Sequence, residues 1–200
     1  MSKDVILVGY SGHAFVVIDA LLSSGYNVTG YCEAGEKKLN PYVIKYLGSE
    51  DKLMIDKTQC FVGIGDNDQR EKVHLKLEKQ GVNFVNAIHS SAVIASTVKM
   101  DNGNLISAGA VINALAQVGN GVICNTKAVI EHECVLEDFV HIGPGAVLCG
   151  NVHVGKNTLV GAGSVVIPNI TIGKNVIIGA GSVVVKNIPD NSVIKGNPAK

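Results

Sequence analysis

The sequence has no excess of charge of either sign, since 17 lysine and arginine residues balance 17 aspartate and glutamate residues. Proteins that bind nucleic acid or anionic membranes usually have a basic excess, because attraction to phosphate supports that binding. We therefore expect neither nucleic acid nor a membrane as a partner. No apolar stretch is long enough to cross a bilayer, and the opening run Val5–Gly9 is too short for a signal peptide. These absences predict a cytoplasmic protein.

Cysteine pairs are also missing. The five cysteines are odd in number and form no C-x-x-C motif, which argues against a disulfide framework and against a zinc knuckle. Reduced thiols fit this pattern, and we expect no metal. An apolar content of 46% in 200 residues is ample for a packed globular core.

The sequence does contain a repeat with a period of six. From Ile88 to Val184 every sixth residue is apolar, and the fourth residue after each is mostly small or β-branched, with Asn104 as the exception. This period fits neither a helix nor a two-sided strand, but it is typical of hexapeptide parallel β-helices, in which three hexads close one triangular coil. We predict about five stacked coils with the apolar class inside.

Glycine often follows the apolar residue of a hexad. We expect it there because a chain that turns a corner needs permissive backbone angles. The positions are Gly119, Gly143, Gly155, Gly161, Gly173 and Gly179.

The first 85 residues lack this period and alternate strands with helices. The predicted strands are Val5–Gly9, Val28–Cys32 and Cys60–Ile64, and the predicted helices are Gly12–Ser24 and Asn67–Gln80. This order is typical of a βαβ unit. We interpret the charged residues of the second helix, together with His74, as its solvated face. These charged residues are Arg70, Glu71, Lys72, Lys76, Glu78 and Lys79.

Two glycine-containing turns join strand ends to helix starts in this region. In the turn Gly9–His13, free amides and the helix dipole favour an anion such as a phosphate. The turn lacks the full G-x-G-x-x-G spacing, so it does not indicate a dinucleotide site. The turn Gly63–Asn67 should lie at the same sheet edge, where ligands of such sheets bind. The alternative is that both are only tight turns.

Several motifs together resemble the bacterial sugar O-acyltransferase family, which includes N-acetyltransferases of the bacillosamine and perosamine pathways and sialic acid O-acetyltransferases. They are Gly9–His13, Ile64–Asn67 followed by Arg70, Asn125–Thr126, Ile130–Val135 with its His132–Glu133 pair, His141 and Lys195–Lys200. The resemblance covers nearly the whole chain. It implies a small Rossmann-like α/β domain at 1–86 that holds a nucleotide sugar, a left-handed β-helix at 87–186, and a carboxy-terminal tail at 187–200.

The resemblance also implies a homotrimer with acetyl-CoA in a groove between two β-helices. It makes His132 the general base and Glu133 its orienting carboxylate. The implied substrate contacts are Ser11, Gly12, His13, Glu33, Gly65, Asn67, Asn125 and His141. The implied acetyl-CoA contacts are His141, Gly150, Gly161, Ala162, Gly179 and Ala180, with the Gly150 amide at the thioester. Many relatives carry paired aspartates after the second strand, where this chain has only Glu33.

The chemistry supports the same histidine. Acetyl transfer to an amine needs a proton acceptor and hydrogen-bond donors for the tetrahedral oxyanion. A histidine beside a carboxylate suits the first task, because the carboxylate fixes its tautomer and supports the imidazolium. His132 occupies a hexad slot outside both core classes, so its side chain should point outward. We interpret His153 as structural.

Other readings are less well supported. A metal enzyme of the carbonic anhydrase type needs three well-spaced ligands, and the histidines after Ile130 contain no short pair. A nucleotidyltransferase would need a larger first domain. A non-catalytic scaffold that binds a nucleotide sugar stays open. The resemblance is closest to the 4-amino-sugar enzymes at the His132–Glu133 motif, so it implies N-acetylation of a nucleotide-linked 4-amino-4,6-dideoxy sugar. O-acetylation of a sugar or of sialic acid stays the alternative, and serine is less favoured. The sequence does not identify the nucleotide.

Overall fold

The computed structural model describes residues 3–53 and 59–200. Its amino-terminal part is a parallel four-stranded sheet with the order β2-β1-β3-β4. The strands are β1 (Asp4–Val8), β2 (Asn27–Cys32), β3 (Gln59–Val62) and β4 (Asn83–Phe84). The three predicted strands are confirmed, with bounds that shift by at most two residues.

Two helices connect these strands, as predicted. Helix α1 (Gly12–Ser23) buries Ala14, Val17, Ile18 and Leu21, which recur at the spacing of one helix face. Helix α2 (Asn67–Lys79) begins after Asp66, whose carboxylate accepts the Gln69 N–H at 2.9 Å and so caps the helix. A short 3₁₀ turn at Glu50–Lys52 precedes β3. No helix in the described ranges has both the length and the apolar character that a membrane span requires.

From residue 87 onward the chain winds into a parallel β-helix of two-residue strands. Within the described residues its three faces hold seven, six and five strands, which makes about six coils instead of the five predicted. The strands of the seven-strand face are β5 (Ala87–Ile88), β8 (Leu105–Ile106), β11 (Ile123–Cys124), β14 (His141–Ile142), β17 (Leu159–Val160), β20 (Ile177–Ile178) and β22 (Val193–Ile194). The six-strand face holds β6 (Val93–Ile94), β9 (Val111–Ile112), β12 (Val129–Ile130), β15 (Val147–Leu148), β18 (Val165–Val166) and β21 (Val183–Val184). The five-strand face holds β7 (Lys99–Met100), β10 (Gln117–Val118), β13 (Val135–Leu136), β16 (His153–Val154) and β19 (Thr171–Ile172).

Each coil turns three corners, which are named here by the faces they join. The first corner runs from the seven-strand to the six-strand face (as in 161–164), the second from the six-strand to the five-strand face (131–134), and the third from the five-strand back to the seven-strand face (137–140). Strands pair with the strand one coil further on, so that Ile142 lies opposite Val160.

The hexad residues form the core, as predicted. Ile142, Val160 and Ile172 are fully buried, and every hexad residue from Ile106 to Val184 is buried. The exception in the second class, Asn104, is also buried, but both polar atoms of its side chain are hydrogen-bonded. Its Oδ1 accepts the Val122 N–H at 2.6 Å and its Nδ2 donates to a backbone oxygen at 3.0 Å. A polar residue fits inside at this position because the side-chain oxygen and nitrogen of Asn104 each have a partner.

The prediction that the hexad glycines supply permissive backbone angles at the corners is wrong. None of the six has a positive φ. A Cβ at Gly155 would lie 2.6 Å from the carbonyl carbon of Gly173, and one at Gly143 would lie 2.7 Å from the Ala162 nitrogen. Backbone from adjacent coils therefore stacks directly at these corners. The left-handed backbone conformation falls two residues later, at positions such as Asn157 (φ 62).

The tail segment 187–200 adds another strand to the β-helix, because β22 pairs with β20. Its spacing differs from that of the other coils. Ile188 bridges to Ile172 and Ile194 lies opposite Ile178, so the pairing distance is 16 residues instead of 18. This two-residue shift moves the tail out of the six-residue phase that ends at Val184.

Helix α2 packs against the third corner, and this contradicts part of its interpretation as a solvated face. Arg70 is 1% exposed and His74 is 2% exposed. The His74 ring stacks on Phe84 with centroids 3.8 Å apart and meets the edge of Phe139. Lys72, Glu78 and Lys79 are exposed as predicted.

Candidate active site

A cavity of about 430 Å³ opens at the carboxyl ends of β1, β2 and β3. Both glycine-containing turns reach it, as the sequence predicted for one sheet edge. Ser11 is exposed at the start of α1, and its side chain makes no capping hydrogen bond. The N-terminus of α1, with Gly12 in open space, therefore offers free amides and a hydroxyl to an anion. The cavity lining includes Gly9, Tyr10, Ser11, Glu33, Glu50, Gly65, Asp66 and Gln69.

Glu33 lies at the end of β2, on the wall of this cavity. Its Oε2 accepts the Tyr10 N–H at 3.1 Å, and Lys37 Nζ lies 3.5 Å from the same atom. In related α/β folds an acid at this position binds ribose hydroxyls. The single carboxylate therefore closes the first turn and lines the cavity at the end of β2.

A second cavity, of about 470 Å³, lies between the start of α2 and the seven-strand face. Gly65 and Asp66 line both cavities, so the two meet at this turn. The floor contains apolar side chains of β17 and β20, and His141 stands at one end. The remaining lining residues are Asn67, Asp68, Asn157, Leu159, Asn175 and Ile177.

His141 and His13 face each other where the cavities meet, with ring centroids 6.2 Å apart. Burial, with a smaller contribution from the positive charge of Arg70, lowers the pKa of each histidine to about 4. Both rings are therefore neutral at pH 7. Asn125 Oδ1 accepts the Thr126 N–H, which leaves Asn125 Nδ2 to donate to His141 Nε2 at 3.2 Å. This places the His141 proton on Nδ1.

His132 lies at the second corner and points outward, as predicted. Its Nδ1 is 3.0 Å from Glu133 Oε2, and both side chains are more than half exposed. The imidazole lies over Gly150, where a Cβ would come within 2.5 Å of the ring. With Nδ1–H directed at the carboxylate, Nε2 is free to accept a proton. A side chain at position 150 would therefore displace the imidazole.

Comparison with known proteins gives concordant matches for both parts of the chain. Residues 4–77 match the PglD N-terminal domain, and residues 151–186 match the bacterial transferase hexapeptide (six repeats). A mutant of perosamine N-acetyltransferase from Caulobacter crescentus, solved with CoA and GDP-perosamine, is 38% identical over 98% of this chain and 95% of that chain, with a TM-score of 0.94. This chain belongs to the bacterial sugar O-acyltransferase family.

A second solved member of this family is similar over the full length. The acetyltransferase domain of PglB from Neisseria gonorrhoeae, in complex with acetyl coenzyme A, is 29% identical over 100% of this chain and 99% of that chain, with a TM-score of 0.95. The chain is thus an acyltransferase, and its β-helix is of the left-handed class, as the sequence resemblance implied.

A single chain of this acyltransferase brings together only part of the expected site. Five of the implied substrate contacts converge where the cavities meet, namely His13, Gly65, Asn67, Asn125 and His141. The amide of Asn67 is engaged there, because its Nδ2 donates to the Asn157 carbonyl oxygen at 3.1 Å. Four of the acetyl-CoA contacts implied by the resemblance follow β17 and β20 at the first corner. They are Gly161, Ala162, Gly179 and Ala180. His132, Glu133 and Gly150 lie apart from both groups, at the second corner.

Sequence reasoning missed two residues of this region. Tyr10 lines the first cavity, stacks on Tyr31 with centroids 4.1 Å apart, and donates its hydroxyl hydrogen to Asn40 Oδ1 at 2.6 Å. Arg70, interpreted as solvated, is buried beside the Gly65 turn. The available signal was its place after the Ile64–Asn67 turn among the motifs that carry the family resemblance. His153 pairs with Glu137 at 2.8 Å on the five-strand face, in keeping with a structural role.

Proposed function

We propose that this acyltransferase moves an acetyl group from acetyl-CoA to the amino group of a nucleotide-linked 4-amino-4,6-dideoxy sugar, as a cytoplasmic homotrimer. The observation that carries the proposal is the meeting of two cavities at Gly65. One cavity has the helix N-terminus and the acid expected for a nucleotide, and the other leads to His141 over apolar side chains. The solved relatives bind CoA with GDP-perosamine, or acetyl-CoA, on the same fold.

The nucleotide part fits the first cavity. The amides at the start of α1 and the Ser11 hydroxyl suit a diphosphate, since a helix N-terminus favours negative charge. Glu33 suits the ribose hydroxyls. A sugar attached to that diphosphate would extend past Gly65 toward His13 and His141. The neutral His141 lines the second cavity, where its ring can contact the sugar or the acetyl group.

The separation of His132 from His141 within one chain supports a trimer. His132 stands at the second corner, whereas the sugar cavity opens on the seven-strand face. In a three-fold assembly the second corner of one copy can face the seven-strand face of its neighbour, and symmetry repeats this contact three times. Each site would then take His132, Glu133 and Gly150 from one copy and the sugar cavity from the next.

His132 then acts as the general base. The sugar amine attacks the thioester carbonyl, a C–N bond forms, and His132 Nε2 takes the proton that the amine sheds. Glu133 holds the imidazole in the required tautomer and supports its positive charge. The Gly150 N–H, which has no acceptor within the described ranges, can donate to the oxyanion. The C–S bond then breaks, and the proton passes from His132 to the CoA thiolate.

The experiment that tests the proposal measures release of free CoA thiol from acetyl-CoA. The acceptors are UDP-, GDP- and dTDP-linked 4-amino-4,6-dideoxy sugars, with serine and sialic acid as hydroxyl controls. We expect release with one amino sugar, which also identifies the nucleotide. Release only with a hydroxyl acceptor would make the enzyme an O-acetyltransferase. Binding of the nucleotide sugars without any thiol release would favour the non-catalytic scaffold.

A further inference from the structure

Arg70 is the most deeply buried charged side chain in the wall between the two cavities. It is 1% exposed, and all five of its N–H donors have an acceptor. Nε donates to Gly121 O at 2.8 Å, Nη1 to Ile64 O at 3.3 Å and Gly65 O at 3.0 Å, and Nη2 to Asn67 Oδ1 and Phe139 O at 2.8 Å each.

These acceptors come from segments far apart in the sequence. The Gly65 turn belongs to the wall shared by both cavities, whereas Gly121 and Phe139 lie at the third corner in two successive coils. None of the acceptors is a carboxylate, and Arg70 forms no ion pair with any described residue. Because a buried charge is costly without such bonds, the guanidinium is stable only while all three segments keep their places.

Other contacts place α2 on the same corner. Asn67 donates to the Asn157 carbonyl oxygen, and Glu71 pairs with Lys156. Gly65 in turn lies against the ring of His13, since a Cβ at Gly65 would lie 3.2 Å from His13 Cγ, and it lines the same cavity as His141. The turn that Arg70 holds is thus in direct contact with a site histidine.

We propose that Arg70 is a positioning residue for acetyl transfer, which ties the Gly65 turn to two coils of the β-helix and so keeps the nucleotide-sugar cavity in register with His141. The inference rests on the proposed function. A planar fork with five donors can bridge three segments, whereas the lysine ammonium has three donors on one atom. A positive charge at position 70 is therefore not sufficient to hold the Gly65 turn against the β-helix.

The test compares Arg70→Met and Arg70→Lys with the matched control Lys72→Met, which removes an exposed charge from the same helix. We expect kcat for the amino sugar to fall on the order of 10²-fold in both Arg70 variants, the loss typical of a misplacement of about 1 Å. The KM values for both substrates should change little, and Lys72→Met should match the wild type. Wild-type kcat in Arg70→Lys, or a lower Tm with unchanged kcat in Arg70→Met, would overturn the proposal.

Amide hydrogen exchange supplies a readout that needs no turnover. In Arg70→Met, exchange should accelerate at residues 63–67 while the β-helix amides of residues 141–184 stay protected. Unchanged exchange at 63–67 would refute the bridging role. If the wild type transfers no acetyl group, the proposed function fails, and the exchange result still decides whether Arg70 holds the turn.

Discussion

Replacing His132 with alanine should lower kcat by a factor on the order of 10² to 10⁴, the usual loss when a general base is removed. Acetyl-CoA binding should persist, because the side chain is more than half exposed and supports no core contact. Steady-state thiol release with the amino-sugar acceptor gives kcat, and calorimetric titration gives the acetyl-CoA affinity.

The matched control is His153→Ala. His153 also contacts a carboxylate, Glu137, and has a comparable exposure of 43%, but it lies on the five-strand face. Its replacement should leave kcat at the wild-type level. Full turnover in His132→Ala, or an equal loss in both variants, would contradict the assignment of His132 as the base.

Replacing Ile142 with aspartate should unfold the β-helix. Ile142 is fully buried between Cys124 and Val160 of the neighbouring coils, and an unpaired carboxylate there costs several kcal/mol. That cost is a large part of a typical total stability of about 5–15 kcal/mol. Far-UV circular dichroism and thermal melting measure the loss, and Val160→Asp should behave in the same way.

The control is Val93→Asp, which puts the same charge on a strand of the six-strand face where the side chain is 62% exposed. An exposed substitution of this kind usually changes stability by no more than about 0.5 kcal/mol. A soluble Ile142→Asp protein with wild-type melting would show that the inward face of the hexads has been assigned incorrectly.

The β-helix could be predicted because each hexad repeats the same local information. One apolar residue in six specifies which side chains point inward, and stacking of equivalent coils joins them into a continuous core. The last coil was not predicted, because its residues pair with residues 16 positions earlier instead of 18. This difference breaks the six-residue period after Val184. The reason for the corner glycines was not predicted either, because the close approach of Gly155 to Gly173 is a contact between coils and not a local property of the sequence.

The site was predictable only in part. His132 could be placed outward because its hexad slot excludes it from the core. Arg70 could not be placed, because its acceptors Gly121 and Phe139 lie 51 and 69 residues away. A charged residue on a polar helix is normally solvated, and no local pattern shows that backbone carbonyls will surround it. His74 was misplaced for the same reason, since the third corner covers it.

The activity of mixed trimers shows directly whether each active site is shared between two copies. His132→Ala and the double variant His13→Ala, His141→Ala are co-expressed with different tags, and assemblies carrying both tags are purified. If each site takes His132 from one copy and His141 from its neighbour, every mixed trimer contains one intact site, so about one third of the wild-type turnover should return. Mixed assemblies as inactive as either parent would contradict a site shared between copies.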